Sequence, residues 1–246
     1  MSKKLKIERE IREGWELFKH KESGKEFSGV LAGFSWPGIK HGFCVVVGVE
    51  GGRAQKQHKL HVLQTFRANG LPELVRQYAK AAKVYQVKYG ITDLSKKFLP
   101  YHNYFCEYEN ATGESFDIFD VAEKSFPVQV ERIRSYLDPE KRLFFGHHDI
   151  LRHALDPRYL KPKDLTEASA KKHPEVVALA YAVAAAEDFI ATYHEKSKTW
   201  AQRWIEQTNK MPHADDWERF ALRVAANLPS HVEPIRDPDE EDNFVW

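Results

Sequence analysis

Two apolar segments near the start of the chain constrain its fold more than any other feature. The stretch from Gly29 to Gly51 reads GVLAGFSWPGIKHGFCVVVGVEG, with apolar runs over Val30 to Phe34 and Phe43 to Val49. β-Branched and aromatic residues bounded by Gly and Pro predict two strands joined through the turn Trp36-Pro37-Gly38. Because the runs are nearly continuous, we expect both faces of this hairpin to be covered. Ser35 then stands at the end of the first strand, at an edge of the sheet.

The next segments continue the sheet. His58 to Phe66 alternates apolar and polar residues, which predicts a third strand. Leu71-Pro72-Glu73 begins a helix that runs to about Lys88, since Pro is favoured in a first helical turn. Ile91-Thr92-Asp93 predicts a short fourth strand that ends in an acid. The order β-β-β-α-β predicts an α/β fold with a mixed sheet flanked by helices.

The segments on either side are predicted mainly as helices. Ile7 to Lys21 carries apolar residues at helical spacing, which predicts an amphipathic helix, whereas the aromatic stretch Tyr101 to Tyr108 is predicted as a strand. Further helices are predicted at Val121 to Leu137, Phe144 to Leu155, Pro174 to about His194, Lys196 to Asn209 and Trp217 to Asn227. The predicted units are an N-terminal helix in residues 1–27, a central domain in 28–195, a helical extension in 196–235 and a disordered acidic tail in 236–246.

Composition limits the function only weakly. The 37 Lys and Arg residues nearly balance the 36 Asp and Glu residues, so overall charge gives no indication of nucleic-acid binding. No apolar run reaches the length of a membrane span, and the first residues lack the apolar region of a secretory signal. Cys44 and Cys106 form no disulfide or metal pattern. These features predict a cytoplasmic protein with reduced thiols and no membrane partner.

Three local sequences resemble the nuclease lobe of the large terminase subunit of tailed bacteriophages, a ribonuclease H-like domain. GFSWPGIKHGFCVVVGVEG resembles that family's first hairpin, YGITD its strand ending in an acid, and HPEVVALAYAVAAAEDF its late helix. The three segments follow one another in the family's order and span roughly residues 28 to 190. The resemblance implies a ribonuclease H-like mixed sheet with a helical C-terminal extension, encoded by a phage or prophage.

The same resemblance implies metal-dependent cleavage of DNA. Carboxylates at strand ends and on the facing helix hold two Mg²⁺ or Mn²⁺ ions, which activate water and stabilise the leaving oxygen. Asp93 and Glu175 are the expected catalytic and metal-binding residues. Ser35 and Val177 stand where the family has acids, which implies an impaired nuclease. The alternative is a non-catalytic nucleic-acid-binding or structural protein of phage origin that retains the fold.

Both candidate ligands also have ordinary structural interpretations. Asp93 fits the capping of a turn after a strand, and Glu175 beside Pro174 fits a favourable helix start. The sequence has no G-x-x-x-x-G-K-[ST] motif, so we expect any packaging function to need a separate ATPase or another phage protein. DNA is the binding partner that the resemblance implies.

A basic and aromatic segment follows the helix predicted at Val121 to Leu137. Its cations alternate with aromatic side chains, a mixture that favours contact with phosphates together with stacking on bases. We expect the nucleic-acid-binding residues to be Arg142, His147, His148, Arg152, Arg158 and Lys161. Asp149 and His153 are spaced four apart, which also allows a metal interpretation. A solvated basic face is an equally good alternative for the whole segment.

Overall fold

A computed structural model describes residues 5–12, 15–38, 41–51, 58–138, 141–161 and 165–197. Contacts group the chain as far as Glu195 into one compact unit, and a second unit begins at Lys196. The predicted helical extension and acidic tail lie outside the described residues, apart from the first two residues of the extension. None of the described helices combines the length and the apolar character of a segment that crosses a bilayer.

The N-terminal segment is a small antiparallel sheet and not the predicted amphipathic helix. Its strands are β1 (Ile7–Arg12), β2 (Trp15–His20) and β3 (Glu26–Phe27), in the order β1-β2-β3. The spacing of four between Ile7 and Ile11 fits one face of a helix, but it fits one face of a strand equally well, and Ile7 is buried whereas Ile11 is 68% exposed. Opposite charges pair across the two longer strands, as in the contact of Arg9 with Glu16, and Lys21, just after β2, lies 2.8 Å from Glu8 Oε1. Pairing of β1 with β2 and of β2 with β3 therefore decides for a sheet.

The main sheet has six strands with mixed directions. Its strands are β4 (Gly29–Ser35), β5 (Gly42–Glu50), β6 (Lys59–Ala68), β7 (Tyr89–Thr92), β8 (Ile118–Asp120) and β9 (Leu143–Phe144), in the order β8-β7-β4-β5-β6-β9. The predicted hairpin is confirmed: β4 and β5 pair antiparallel, and Ser35 lies opposite Phe43. β6 continues the meander, and β7, β8 and β9 each pair in parallel with a neighbour. The prediction of a mixed α/β fold is confirmed at this level.

Six helices within the described residues pack on the two faces of the main sheet. They are α1 (Leu71–Tyr85), α2 (Leu99–Thr112), α3 (Phe126–Leu137), α4 (Asp149–Leu155), α5 (Glu167–Ala170) and α6 (Pro174–Ser197). Alternate residues of β4 enter different cores: Val30 packs in the cluster with residues of α1 and α2, and Leu31 packs in the cluster with residues of α3 and α6. Because both faces are covered, the apolar run of this strand is continuous.

The aromatic stretch predicted as a strand is helix α2. Tyr101, Tyr104, Phe105 and Tyr108 are spaced three and four apart, so one helical face carries all four rings. Phe105 is buried in the core, and Gly113 ends the helix in the left-handed conformation at φ 68°. The residue types favour a strand, but the spacing and the glycine stop decide for a helix.

Helix boundaries elsewhere differ from the predictions by a few residues. α3 begins at Phe126, five residues later than predicted, because Pro127 takes a position in its first turn. α4 begins at Asp149, and the residues before it include the short strand β9, which the sequence did not predict. The late helix starts at Pro174 as predicted and continues to Ser197.

Close contact with β4 fixes the direction of α6. A Cβ added to Gly33 would lie 2.1 Å from the Ala182 nitrogen and 2.4 Å from the Ala178 oxygen. A Cβ added to Gly29 would lie 2.7 Å from the Phe189 ring. Moving along β4 towards its end therefore leads towards the start of α6. The N-terminus of α6 is thus brought to the sheet edge at which β4 ends.

Replacing Gly33 by Ala should destabilise the protein strongly. The added methyl group meets helix backbone rather than the end of a flexible side chain, so α6 must move away from β4. We expect a loss of about 3 kcal/mol or more in the free energy of unfolding, measured by urea denaturation. Gly38→Ala is the matched control, because nothing lies within 4 Å of its added Cβ. Equal stability of the two variants would contradict the close contact.

Candidate functional site

Three parallel strands end side by side and place polar residues at one edge of the sheet. β7 lies between β4 and β8, and Thr92 of β7 pairs with Asp120 of β8. The Thr92 hydroxyl donates a hydrogen bond of 2.7 Å to the Phe34 oxygen of β4. Asp93 follows Thr92 directly and Ser35 follows Phe34, so both lie at the same edge as Asp120. We call this edge, at which β4, β7 and β8 end, the carboxyl edge.

Lys124 holds the two aspartates of the carboxyl edge together. Its ammonium group lies 2.9 Å from Asp120 Oδ2 and 3.3 Å from Asp93 Oδ1. Backbone amides fix the same carboxylates from the other side: Leu94 donates to Asp120 at 2.7 Å, and Ser95 donates to Asp93 at 2.9 Å. The two carboxylates are therefore oriented by backbone and share one cation.

The main chain at Asp93 is held by an aromatic cluster. Trp36 Nε1 donates a hydrogen bond of 2.7 Å to the Asp93 oxygen, and the indole is only 6% exposed. The same ring packs against Phe98, Tyr101 and Phe105 at centroid distances of 5.8 to 6.4 Å. The turn after β4 thereby fixes the position of the acid after β7.

Glu175 lies in the first turn of α6 and has its own cationic partners. His41 Nε2 is 2.9 Å and Arg67 Nη2 is 3.4 Å from the same Glu175 oxygen. His41 stands just before β5 and Arg67 near the end of β6, where these strands reach the carboxyl edge. The side chains of His41 and Glu175 are each only 14% exposed. The structure thus places Glu175 in a second ion cluster, formed by three different elements.

Ser35 and Val177 take part in packing and not in a charged site. The Ser35 side chain accepts a hydrogen bond of 3.2 Å from the Phe43 amide, and the residue is 7% exposed. Val177 is buried in the core between α6 and the sheet. Neither position offers a negatively charged oxygen to a metal ion.

The environment of Asp120 favours its charged form. Partial burial on its own would raise the pKa of Asp120. The Leu94 amide and the Lys124 ammonium outweigh this effect and lower the pKa of Asp120 below its usual range. The hydrogen bond with Asp120, together with the contact to Asp93, raises the pKa of Lys124. At neutral pH Asp120 is therefore a carboxylate and Lys124 an ammonium group.

These residues do not fit a two-metal site. Two-metal chemistry needs carboxylates that can share and flank two divalent cations, and hard oxygen ligands dominate such sites. Here Ser35 is neutral, Asp93 and Asp120 bind Lys124, and Glu175 binds His41 and Arg67. Within the described part of the chain, no group of three or more His, Cys, Asp or Glu side chains is arranged to hold a metal ion.

Glu50, Asp120 and Lys124 are three further charged residues whose positions bear on the predicted site. Glu50 ends β5 at the opposite edge and contacts His61, so it is remote from Asp93 along the sheet. Asp120 belongs to the carboxyl edge, but the sequence analysis did not single it out. Lys124 was missed entirely. Its spacing of four from Asp120 is a signal for an ion pair only on a helix, and Lys124 lies in the loop between β8 and α3.

The predicted nucleic-acid-binding residues fall into two groups. Arg142 stacks on the Tyr136 ring at 4.4 Å, and its Nε is buried. Arg158 is bonded to both carboxylate oxygens of Asp156, with distances of 2.6 to 3.1 Å. His148 is half-buried and lies 3.2 Å from the Thr65 hydroxyl on β6. Arg142 and His148 are therefore engaged within the protein, whereas Arg158 is 82% exposed and is paired with Asp156 at the surface.

The other group is exposed around α4 and the turn that follows it. His147, Arg152 and Lys161 are exposed, although Arg152 also contacts Asp149 and the Gly146 oxygen. The His153 ring packs against Tyr159 at a centroid distance of 4.1 Å, and Tyr159 is 54% exposed. Asp149 contacts Arg152, whereas the His153 ring packs against Tyr159. Because the two side chains have separate partners, the metal interpretation of Asp149 and His153 gains no support.

Comparisons with known proteins give a structural neighbour but no family. No protein-family model and no curated protein matches the sequence. Among solved structures, RuvC from Thermus thermophilus is similar over 64% of this chain and 92% of its own chain. The sequence identity is 17% and the TM-score is 0.36. The six-stranded mixed sheet flanked by helices is compatible with a ribonuclease H-like fold.

Burial of His148 should make the protein sensitive to acid. Desolvation lowers the pKa of His148, with a smaller contribution from His147. The His148 ring is therefore protonated less readily in the folded chain than in the unfolded chain. The stability that His148 contributes at neutral pH is lost as the pH falls below about 6.5. We expect His148→Gln to reduce the loss of melting temperature between pH 7.5 and 5.5. His147→Gln, which changes an exposed neighbour, should leave that loss unchanged; the reverse pattern would contradict the assignment.

Proposed function

We propose that this chain is a ribonuclease H-like domain related to the terminase nuclease lobe that binds DNA without two-metal cleavage. One observation carries the proposal: the acids at the carboxyl edge are paired with basic side chains of the chain itself. Lys124 bridges Asp93 and Asp120, and His41 and Arg67 hold Glu175. A phage or prophage origin follows from the same resemblance.

The chemistry of the missing carboxylate supports the non-catalytic form. A carboxylate at the end of the first strand would carry a full charge and two ligand oxygens. Ser35 offers one neutral hydroxyl oxygen, which already accepts the Phe43 amide. Mg²⁺ and Mn²⁺ bind hard anionic oxygens, so a hydroxyl in this position cannot hold two cations close together. Without both cations, water is not activated and the leaving oxygen is not stabilised.

Charge also argues against the carboxyl edge as the place where DNA binds. Asp93, Asp120 and Glu175 are three carboxylates, whereas Lys124 and Arg67 are two permanent cations. The carboxylates therefore outnumber these permanent cations by one. A phosphate backbone is repelled by such a surface, since affinity for DNA depends on cations that neutralise phosphates.

The surface around α4 is better suited to nucleic acid. We define the α4 surface by Arg152, His153, Tyr159 and Lys161. Tyr159 presents an exposed ring that is supported from one side by His153, so it can stack on a base at little entropic cost. Lys161 and Arg152, two and seven residues from Tyr159 in the chain, are exposed and supply positive charge for contact with phosphates. Arg142 and Arg158 are left out because their guanidinium groups are engaged by Tyr136 and Asp156.

A second candidate function is the metal-dependent DNA endonuclease. It is favoured by the adjacency of Asp93 and Asp120, two carboxylates at the ends of neighbouring parallel strands. Such an activity would require Lys124 to leave the pair and a further acid to approach Ser35. Mg²⁺ or Mn²⁺ would then be held by Asp93 and Asp120, with Glu175 released from His41 and Arg67.

DNA binding should depend on the α4 surface. We expect Tyr159→Ala to weaken binding of single-stranded DNA about tenfold, consistent with a stacking contribution of about 1–3 kcal/mol. Lys161→Ala should reduce the slope of log affinity against log salt by about 1, because one phosphate contact is lost. Fluorescence anisotropy in the presence of EDTA measures both effects.

Two control variants test whether the loss of DNA affinity is specific to the α4 surface or follows from removing any exposed aromatic or lysine side chain. Phe119 on β8 is 52% exposed, so Phe119→Ala removes a comparable aromatic side chain elsewhere. Lys80→Ala removes an exposed lysine of α1. Neither should change DNA affinity. If both controls weaken binding as much as the α4 variants, or if binding requires Mn²⁺, the proposal fails.

A further inference from the structure

The position of Lys124 between two strand ends is the starting point. Its ammonium group contacts carboxylates that belong to the ends of β7 and β8, at 3.3 and 2.9 Å. Lys124 itself lies in the loop between β8 and α3. One side chain thus reaches across to acids that are adjacent in space but 27 residues apart in sequence. The contact is a bridge between two strands.

The two carboxylates are prepared for a cation. Asp93 and Asp120 each receive a backbone amide hydrogen bond that fixes the orientation of one oxygen. Because β7 and β8 are hydrogen-bonded neighbours, the backbone at Asp120 lies beside Thr92, the residue before Asp93. Two negative charges held this close repel each other unless a cation lies between them. In this chain the ammonium group of Lys124 supplies that charge.

We propose that Lys124 is a built-in substitute for a divalent cation at Asp93 and Asp120 and keeps metal ions away from this pair. Removing its charge uncovers a site for a hard divalent cation such as Mn²⁺ or Mg²⁺. This role of Lys124 concerns the same edge as the proposed function and rests on it only in assigning no metal to the wild-type chain there. Its test uses no DNA, so the role of Lys124 and the DNA binding can fail independently.

The ligand chemistry agrees with this assignment. Mg²⁺ is often held by one or two protein carboxylates, with water completing its octahedral shell. Asp93 and Asp120 supply that number, and both are partly accessible, with side chains 21% and 47% exposed. The site is open enough for a hydrated cation. An ammonium group in contact with both carboxylates repels such a cation and occupies the same oxygens.

The strength of the lysine contact sets the size of the expected effect. The Lys124 side chain is 43% exposed, and exposed ion pairs contribute little to stability because solvent screens them. Lys124→Ala should therefore fold. The tethered ammonium group nevertheless competes with dissolved metal at a high effective concentration. We expect the dissociation constant for Mn²⁺ to fall at least about tenfold when Lys124 is removed.

The test measures Mn²⁺ binding to the full chain by calorimetry and by the shift in melting temperature. Wild type should show no specific shift in millimolar Mn²⁺, whereas Lys124→Ala should gain a saturable shift. Lys124→Ala combined with Asp93→Asn, or with Asp120→Asn, should lose it again. Lys124→Gln provides a second neutral variant that keeps most of the side-chain packing.

A matched control tests whether any lysine removal has this effect. Lys83 pairs with Glu114 on the surface, so Lys83→Ala also frees a carboxylate, but only one. It should gain no Mn²⁺ binding. The proposal is overturned if neither neutral variant at position 124 binds Mn²⁺ more tightly than wild type. It is also overturned if wild type itself binds Mn²⁺ through Asp93.

Discussion

The backbone contact between α6 and β4 determines where the chemistry of this domain can lie. Gly33 has no side chain, and the helix passes so close that a Cβ there would overlap Ala182 and Ala178. This contact sets α6 antiparallel to β4 and brings its N-terminus to the carboxyl edge. Glu175 therefore reaches the edge at which β4, β7 and β8 end, beside elements that are distant in sequence. The close crossing of α6 and β4 therefore fixes the position of Glu175 relative to the other acids of this edge.

The chain pairs the acids of the carboxyl edge with its own basic side chains. Lys124 contacts Asp93 and Asp120, and Arg67 and His41 contact Glu175. In the proposed function these pairings take the place of metal ions, so the edge does not concentrate positive charge on a substrate phosphate. In this account DNA is bound at the α4 surface, away from the residual negative charge.

The central hairpin and the late helix could be predicted because strong local signals and tertiary packing agree there. Continuous apolar runs bounded by Gly and Pro mark β4 and β5, and Pro174 marks the start of α6. The prediction for the N-terminal segment was wrong because the spacing of Ile7 and Ile11 fits a helix, while cross-strand pairing decides for β1 and β2. No local pattern reports such pairing partners.

The candidate site was predictable only in part for a similar reason. Ser35, Asp93 and Glu175 could be singled out by their positions after strands and at a helix start. The partners that change their chemistry, Lys124 and Arg67, come from other elements and are recognisable only once the strand order is known. Exposure likewise separates Lys161 from Arg142, although both are cations of one basic segment.

The most direct test of this account is a plasmid nicking assay with the full chain in Mg²⁺ and in Mn²⁺, with Asp93→Ala as the comparison. We predict that the folded wild-type chain and Asp93→Ala both leave supercoiled DNA intact at equal levels of background. Nicking by wild type that requires the metal and disappears in Asp93→Ala would contradict the account. It would mean that a divalent cation displaces Lys124 and that the carboxyl edge is a working nuclease site.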